Sequence, residues 1–221
     1  MTVEVKICGL STPASISAAV FGGARYVGFI FYPASPRFVG PDRAAALAAM
    51  VPSSVLKVGV VVDIPDADLA ALLEHVRLDM LQLHGREPPE RVAEIRQRFG
   101  LPVIKAAPIY TADDLGRARR FEAVADRLLF DAKAPAGASR PGGNAISFDW
   151  RLLKDFACPR PWFLAGGVTA GNVAEAVRQS GAAAVDISSG VETAPGVKSA
   201  ERIRQFLKAA RDIDRHGATQ E

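Results

Sequence analysis

The chain has 221 residues, of which 49% are apolar, and its formal net charge is +3. This length and composition fit a globular protein with a large aliphatic core and exclude a disordered polar chain. The small charge, with acids interleaved among the basic residues at helical spacing, disfavours a nucleic-acid-binding surface. No apolar stretch is long enough for a membrane span and no signal peptide is recognisable, so we expect a cytoplasmic protein with no membrane partner.

Short apolar segments alternate with segments of helical pattern along the chain. The predicted strands are, in order, VEVKIC, YVGFIF, LKVGVVV, MLQL, PVIKAA, RLLF, WFLA and AAVDIS. The predicted helices after them are PASISAAVF, PDRAAALAAM, DADLAALLEH, PPERVAEIRQRF, ADDLGRARR, DWRLLKDF, GNVAEAVRQS and SAERIRQFLKAAR. Strands that are apolar on both faces are typical of a parallel sheet covered by helices. The pattern predicts an α/β protein, a single (β/α)8 TIM barrel over residues 1–221, with a frayed tail from about 214.

An open, doubly wound sheet is the alternative fold. That fold usually carries a GxGxxG turn after its first strand, whereas this chain has ICGLST there. The longest irregular stretch, residues 133–148, follows the sixth predicted strand and is rich in Gly, Pro, Ser and Ala. In a barrel this loop lies at the catalytic face, so we predict a lid there, with a plain flexible insertion as the alternative.

Polar side chains gather at the carboxyl ends of the predicted strands, where a barrel has its active site. Cys8 is either a working thiol or a small buried hydrophobe. Arg37, in a loop stiffened by prolines, suits a clamp on a carboxylate, with a surface arginine as the alternative. His84 is either a base or a neutral hydrogen-bonded histidine. Asp131 and Asp186 end strands six and eight.

Glycine-rich turns follow the last two predicted strands. Gly166 and Gly167 follow strand seven, and Ser189 and Gly190 follow strand eight. Glycines let backbone N–H groups approach an anion, and barrels often bind phosphate at these two loops. The sequence therefore predicts a phosphorylated small molecule as the ligand.

Metal and disulfide chemistry find no support in the sequence. The two cysteines, Cys8 and Cys158, make neither a disulfide framework nor a CxxC knuckle, and the three histidines show no metal-ligand spacing. Lys133 lies beyond Asp131 in the loop, where it does not suit a Schiff base. Cys8 and Asp131 therefore remain as the pair of titratable side chains at the carboxyl ends of the strands, where the active site of a barrel lies. Since Lys6 shares a strand face with Cys8, we expect its ammonium to lower the pKa of the thiol.

Seven stretches of the chain together resemble the phosphoribosylanthranilate isomerases of tryptophan biosynthesis. They are VKICGLST, GARYVGFIFYPASPRFV, LQLHG, LLFDAK, FDW, LAGGVTAGNV and VDISSGVETAPGVK, in order between Lys6 and Lys198. The resemblance implies an aldose-ketose isomerase that needs no cofactor. It would convert N-(5-phosphoribosyl)anthranilate into 1-(2-carboxyphenylamino)-1-deoxyribulose 5-phosphate by an Amadori rearrangement. We expect a monomer or a homodimer.

The resemblance also implies roles for single residues. Cys8 matches the general base, Asp131 the general acid and Arg37 the residue that holds the anthranilate carboxylate. The other matches are Asp186, near the anthranilate amine, and Gly167, Ser189 and Gly190, in the phosphate loops. The chain departs from the family pattern at RPGGNAISFDW, at GVTAGNV and at PGVKS, where Ser199 replaces an acid and is expected to alter only a helix cap.

Three other functions are alternatives. The histidine-pathway phosphoribosyl isomerase resembles this chain less, because its family uses an aspartate where Cys8 stands. Indole-glycerol-phosphate synthase would need catalytic Lys and Glu residues at several strand ends. A catalytically silent phosphate-binding barrel would bind the ligand without turnover.

Overall fold

The computed structural model describes residues 3–132 and 147–217. Its centre is a closed barrel of eight parallel strands, in which β8 pairs with β1. The strands are β1 (Glu4–Cys8), β2 (Tyr26–Ile30), β3 (Leu56–Val61), β4 (Met80–Leu83), β5 (Val103–Ile109), β6 (Arg127–Ala132), β7 (Trp162–Leu164) and β8 (Ala184–Ile187). The predicted barrel is therefore confirmed, and the open sheet is excluded.

Helices surround the barrel. They are α1 (Pro13–Phe21), α2 (Pro41–Ala48), α3 (Asp66–His75), α4 (Pro89–Phe99), α5 (Ala112–Ala118), α6 (Val173–Ser180) and α7 (Ala200–Gly217). The helix predicted for DWRLLKDF is wrong, because this segment forms only a short 3-10 turn, Trp150–Leu153. The two buried side chains of the turn, Trp150 and Leu153, are three residues apart, which matches the three-residue period of a 3-10 helix.

A small hairpin after the barrel was not predicted. It consists of β9 (Glu192–Ala194) and β10 (Val197–Lys198), which pair antiparallel. A 3-10 turn, Ser189–Val191, connects it to β8. At the tip of the hairpin Gly196 has φ +83°, a left-handed conformation that favours glycine. Strands of two and three residues are too short to show an alternating pattern in the sequence.

The interior of the barrel is apolar at one end and polar at the other. Tyr26, Val58, Met80, Ile104, Leu129, Phe163 and Ala184 belong to an apolar cluster inside the barrel. Two residues further along β4, β6 and β8 stand Gln82, Asp131 and Asp186, all buried. Because side chains alternate along a strand, these polar groups also face the interior, nearer the carboxyl ends of the strands. Along each of these three strands, the interior side chains therefore change from apolar to polar within two residues.

Two predictions concern residues that are partly outside the described ranges. The predicted lid, 133–148, lies outside the described residues except for Ser147 and Phe148, and its closure stays a prediction. The tail predicted from about 214 begins within α7, which is helical through Gly217. No helix in the described ranges is long and apolar enough to cross a membrane.

Candidate active site

Lys6 and Asp186 form a buried ion pair beneath the carboxyl end of β1. The Lys6 ammonium donates a hydrogen bond of 2.9 Å to Oδ1 of Asp186, and Lys6 is fully buried. A Cβ added to Gly28 would lie 3.0 Å from Sγ of Cys8 and 3.2 Å from Nζ of Lys6. The thiol and the ammonium therefore border the same glycine on β2, and the ammonium is near enough to lower the pKa of the thiol.

Burial determines the acidity of the Cys8 thiol. Burial raises its pKa, the Lys6 ammonium opposes this, Asp186 raises the pKa further and Lys198 lowers it, and the result lies above the ordinary thiol value. The Lys6 ammonium thus lowers the pKa of the thiol, as expected from the sequence, but the net pKa is still raised. The reason is that a thiolate loses its hydration in the interior of the barrel, and the nearby ammonium compensates only part of that loss. The same ammonium has a raised pKa: burial lowers it, but Asp186 and Cys8 outweigh that effect.

Asp131, His84 and Gln82 form a chain of polar contacts across β4 and β6. Oδ1 of Asp131 accepts a hydrogen bond of 2.9 Å from the backbone N–H of Ala132. Its Oδ2 lies 3.4 Å from Nε2 of His84. The other ring nitrogen of His84, Nδ1, lies 2.7 Å from the Gln82 amide nitrogen. With the Gln82 amide donating to Nδ1, the ring proton is on Nε2 and points at Asp131, which fits a neutral hydrogen-bonded histidine.

Arg37 is held by Glu192 of the hairpin, and Lys198 of the same hairpin holds Glu192. Nε and Nη2 of Arg37 donate to the two carboxylate oxygens of Glu192, at 2.7 Å and 2.8 Å. Lys198 donates to the same carboxylate at 2.8 Å and to Ser188. Arg37 is only 3% exposed, so the alternative of an ordinary surface arginine is wrong. Neither Glu192 nor Lys198 was given a role from the sequence, although both lie in VETAPGVK, within a stretch that resembles the family.

The two glycine-rich loops lie against each other. Gly166 and Gly167 have φ +82° and +71°, conformations that only glycine adopts without strain. A Cβ on Gly190 would lie 2.4 Å from the carbonyl oxygen of Val168, so the loops after β7 and β8 are in contact. Asn172 fastens the first loop: its side chain accepts from the N–H of Thr169 at 2.7 Å and donates to the carbonyl of Gly167 at 3.0 Å.

The described ranges contain no cluster of side chains that is suited to a metal ion. Within residues 3–132 and 147–217, no group of three or more His, Cys, Asp and Glu side chains is arranged to hold an ion. The catalytic groups predicted from the sequence are the thiol of Cys8 and the carboxyl of Asp131, both of which can exchange protons with a substrate.

The comparison with known proteins supplies the family. Residues 5–209 match the family model described as N-(5'phosphoribosyl)anthranilate (PRA) isomerase. The chain belongs to the phosphoribosylanthranilate isomerase family. Among curated relatives, the N-(5'-phosphoribosyl)anthranilate isomerase of Paramagnetospirillum magneticum is 58% identical, and the alignment covers 96% of this chain and 98% of the relative. The isomerase of Rhodopseudomonas palustris strain HaA2 is 55% identical, with 96% and 97% covered.

Solved structures of phosphoribosylanthranilate isomerases share the fold. The enzyme of Thermotoga maritima superposes with a TM-score of 0.85 at 36% identity, covering 95% of this chain and 99% of its own. A phosphoribosylanthranilate isomerase in complex with reduced 1-(o-carboxyphenylamino)-1-deoxyribulose 5-phosphate superposes with a TM-score of 0.82 at 34% identity, with 95% and 99% covered. The family, the barrel fold and the isomerase activity in tryptophan biosynthesis expected from the sequence are confirmed.

Proposed function

We propose that this chain performs the Amadori rearrangement of N-(5'-phosphoribosyl)anthranilate at the polar end of its barrel, with Cys8 as general base and Asp131 as general acid. The observation that carries the assignment is that both residues face the interior at the carboxyl ends of their strands. Each also lies beside a polar side chain that can stabilise its ionised form. For Cys8 this side chain is Lys6, and for Asp131 it is His84.

The first step opens the ribose ring. Asp131 gives its proton to the ring oxygen while the bond between C1 and that oxygen breaks, and the lone pair of the anthranilate nitrogen forms a C1=N double bond. The resulting iminium ion makes the hydrogen on C2 acidic. His84 and the N–H of Ala132 both lie at the Asp131 carboxyl, so each stabilises the carboxylate that this proton transfer leaves behind.

The second step moves the C2 hydrogen. The Cys8 thiolate takes the C2 proton, the electrons of the C–H bond form C1=C2, and the iminium nitrogen becomes neutral. The enolamine then tautomerises to the 2-keto product. The Lys6 ammonium and, to a smaller extent, Lys198 favour this thiolate, because both lower the pKa of the Cys8 thiol against the effect of burial. Asp186 holds the Lys6 ammonium in place, and we assign Asp186 the position near the anthranilate amine.

The remaining residues hold the two ends of the substrate. Arg37 is the clamp for the anthranilate carboxylate, and its planar guanidinium suits two-point binding of a carboxylate. The phosphate is assigned to the loops after β7 and β8, through Gly166, Gly167, Ser189 and Gly190. Left-handed glycines there let backbone N–H groups approach an anion.

One assay tests the assignment: the fall in fluorescence of freshly prepared phosphoribosylanthranilate with purified variants. Cys8→Ala and Asp131→Asn should each lose turnover and still bind a reduced product analogue. Cys158→Ala, which removes only the cysteine that has no proposed catalytic role, should turn over normally. Normal turnover by Cys8→Ala would contradict the base assignment and direct attention to His84. Turnover of the histidine-pathway substrate instead would support the rival isomerase.

We also propose a single-domain cytoplasmic enzyme that is a monomer or a homodimer. One solved relative with a TM-score of 0.81 is described as monomers generated from a dimeric phosphoribosylanthranilate isomerase of Thermotoga maritima, which supports either state for this family. Sedimentation equilibrium of the purified chain distinguishes the two. A larger assembly would contradict the proposal.

A further inference from the structure

The side chains of Arg37 and Glu192 form a buried, two-point ion pair. The two side chains are 3% and 5% exposed and make two parallel hydrogen bonds, Nε to Oε1 at 2.7 Å and Nη2 to Oε2 at 2.8 Å. The guanidinium is planar and rigid, so two parallel bonds along one edge fix both its plane and its direction. The two bonds to Glu192 therefore fix the orientation of the Arg37 guanidinium.

Glu192 itself lies between two cations. Lys198 donates to Oε1 at 2.8 Å and to the backbone and side-chain oxygens of Ser188 at 2.8 Å and 3.0 Å. Burial raises the pKa of the Glu192 carboxyl, but Arg37 and Lys198 outweigh it, and the pKa is lowered. When ionised, these three groups carry one net positive charge. A ligand carboxylate would neutralise the cluster, whereas an uncharged group would not.

The backbone of the hairpin is packed against the loop that carries Arg37. A Cβ on Gly196 would lie 2.2 Å from the carbonyl oxygen of Pro36, the residue before Arg37. On the other side, a Cβ on Gly9 would lie 2.9 Å from Cδ of Arg37. The hairpin is in turn fastened to α7, since Arg202 hydrogen-bonds the carbonyl of Glu192.

We propose that the β9–β10 hairpin is the positioning element of this site, with Glu192 as the positioning residue for Arg37. The hairpin makes the enzyme selective for a substrate whose aromatic ring carries a carboxylate. An unrestrained arginine would pay side-chain entropy when it binds, and the hairpin removes that cost before the substrate arrives. This inference rests on the proposed role of Arg37 as the carboxylate clamp.

The test compares two ligands on a set of variants. One ligand is the reduced product analogue with its ring carboxylate, and the other is the same compound lacking that carboxylate. Glu192→Ala should weaken the first ligand by about tenfold or more and the second by less than about threefold. In steady-state assays its KM should rise more than its kcat falls. Glu192→Gln, which can still accept one hydrogen bond, should recover part of the loss.

Two glycine substitutions distinguish the positioning of Arg37 by the hairpin from the effect of the charge of Glu192. Gly196→Ala leaves every charge in place but forces a methyl group against Pro36, so it should also weaken the carboxylate ligand selectively. Gly181→Ala is the matched control: Gly181 has φ +72°, close to the +83° of Gly196, and a Cβ there meets nothing within 4 Å. It carries the same backbone strain and should leave the ratio of the two affinities unchanged.

The outcomes distinguish this inference from the function on which it rests. If Arg37→Ala weakens both ligands equally, the clamp assignment fails. If Arg37→Ala discriminates and both Glu192→Ala and Gly196→Ala do not, the hairpin inference is wrong and the clamp stands. Thermal unfolding shows which variants fold. If Glu192→Ala does not fold, Glu192→Gln and Gly196→Ala provide the test instead. The inference is overturned if these two variants lose affinity equally for the ligand with the ring carboxylate and the ligand without it.

Discussion

Lys6 and Asp186 are 180 positions apart in the chain and 2.9 Å apart in the barrel, joined across the contact between the first and the eighth strand. Their charges act in opposite directions on the thiol of Cys8, since the Lys6 ammonium lowers its pKa and the Asp186 carboxylate raises it. The acidity of the proposed base is therefore adjusted by two groups that also hold each other in place.

Thiol alkylation at increasing pH tests this arrangement without turnover. In a Cys158→Ser background, Cys8 should react with iodoacetamide mainly above the ordinary thiol pKa of 9.0, because its own pKa is raised and only the thiolate reacts. Lys6→Met should move that transition to higher pH, and Asp186→Asn should move it to lower pH. Each reacted fraction is measured by mass spectrometry. If both substitutions shifted the alkylation transition in the same direction, Lys6 and Asp186 could not have opposite effects on the pKa of Cys8.

Gln82 should affect turnover although it is not proposed to exchange a proton with the substrate. Gln82→Leu removes the 2.7 Å contact to Nδ1 of His84, so the ring no longer has a fixed proton on Nε2 toward Asp131. Losing one hydrogen bond of about 1 kcal/mol should lower kcat about fivefold with KM nearly constant. In a His84→Asn background the same substitution should have no further effect. A similar loss in that background would mean that Gln82 acts only through packing.

The phosphate assignment is best tested at Ser189. Gly167 is a poor position for a test, because a Cβ there would lie 2.6 Å from Ser147 and would disturb the loop directly. Ser189→Asp should raise KM by roughly tenfold or more through repulsion of the phosphate, and it should weaken inhibition by inorganic phosphate in parallel. Ser189→Asn, of nearly equal size and uncharged, is the control. Equal effects of both substitutions would place the phosphate elsewhere.

Chelation should leave the enzyme active. The proposed chemistry uses only the protons of Cys8 and Asp131, and among residues 3–132 and 147–217 no cluster of side chains is arranged for a metal ion. Turnover is compared before and after exhaustive dialysis against EDTA. Loss of activity that a divalent ion restores would overturn the cofactor-free mechanism.

The buried ion pair of Lys105 and Glu87 should matter for stability. Lys105 donates to Glu87 at 2.8 Å and to the carbonyls of Leu83 and Gly85, on either side of His84, and both charged side chains are 3% exposed. Lys105→Met leaves the Glu87 carboxylate buried without its cation and should lower the free energy of unfolding by about 3–5 kcal/mol. The double variant Lys105→Met/Glu87→Gln should recover part of this. Chemical denaturation measures both, and a single variant as stable as the parent would contradict the prediction.

Much of the barrel could be predicted because it follows from local patterns. Strand order determines which ends meet, and alternation along a strand places Cys8, Asp131 and Asp186 in the interior. Contacts between segments that are far apart in the chain could not be predicted. Arg37 and Glu192 are 155 positions apart, and nothing in either segment specifies the other.

Electrostatic effects that depend on the whole fold, such as the net pKa of Cys8, could not be predicted from the sequence either. Lys6 lowers the pKa of Cys8 as expected, but the net shift is upward, because the pKa also depends on how completely the surrounding strands remove water from the thiol. Ser199 shows the opposite case. Its cap is local, and the expected role is confirmed: its side chain accepts from the N–H of Arg202 at 3.2 Å, at the start of α7.

Closure of the barrel between β1 and β8 has a consequence for synthesis of the chain. During translation Lys6 is made early and Asp186 late, so the buried lysine has no counter-charge until the last strand leaves the ribosome. A barrel of the first seven strands alone would bury an unpaired ammonium, which is costly. Nascent chains ending before β8 should therefore stay protease-sensitive, and catalytic competence should arise in a single late step rather than strand by strand.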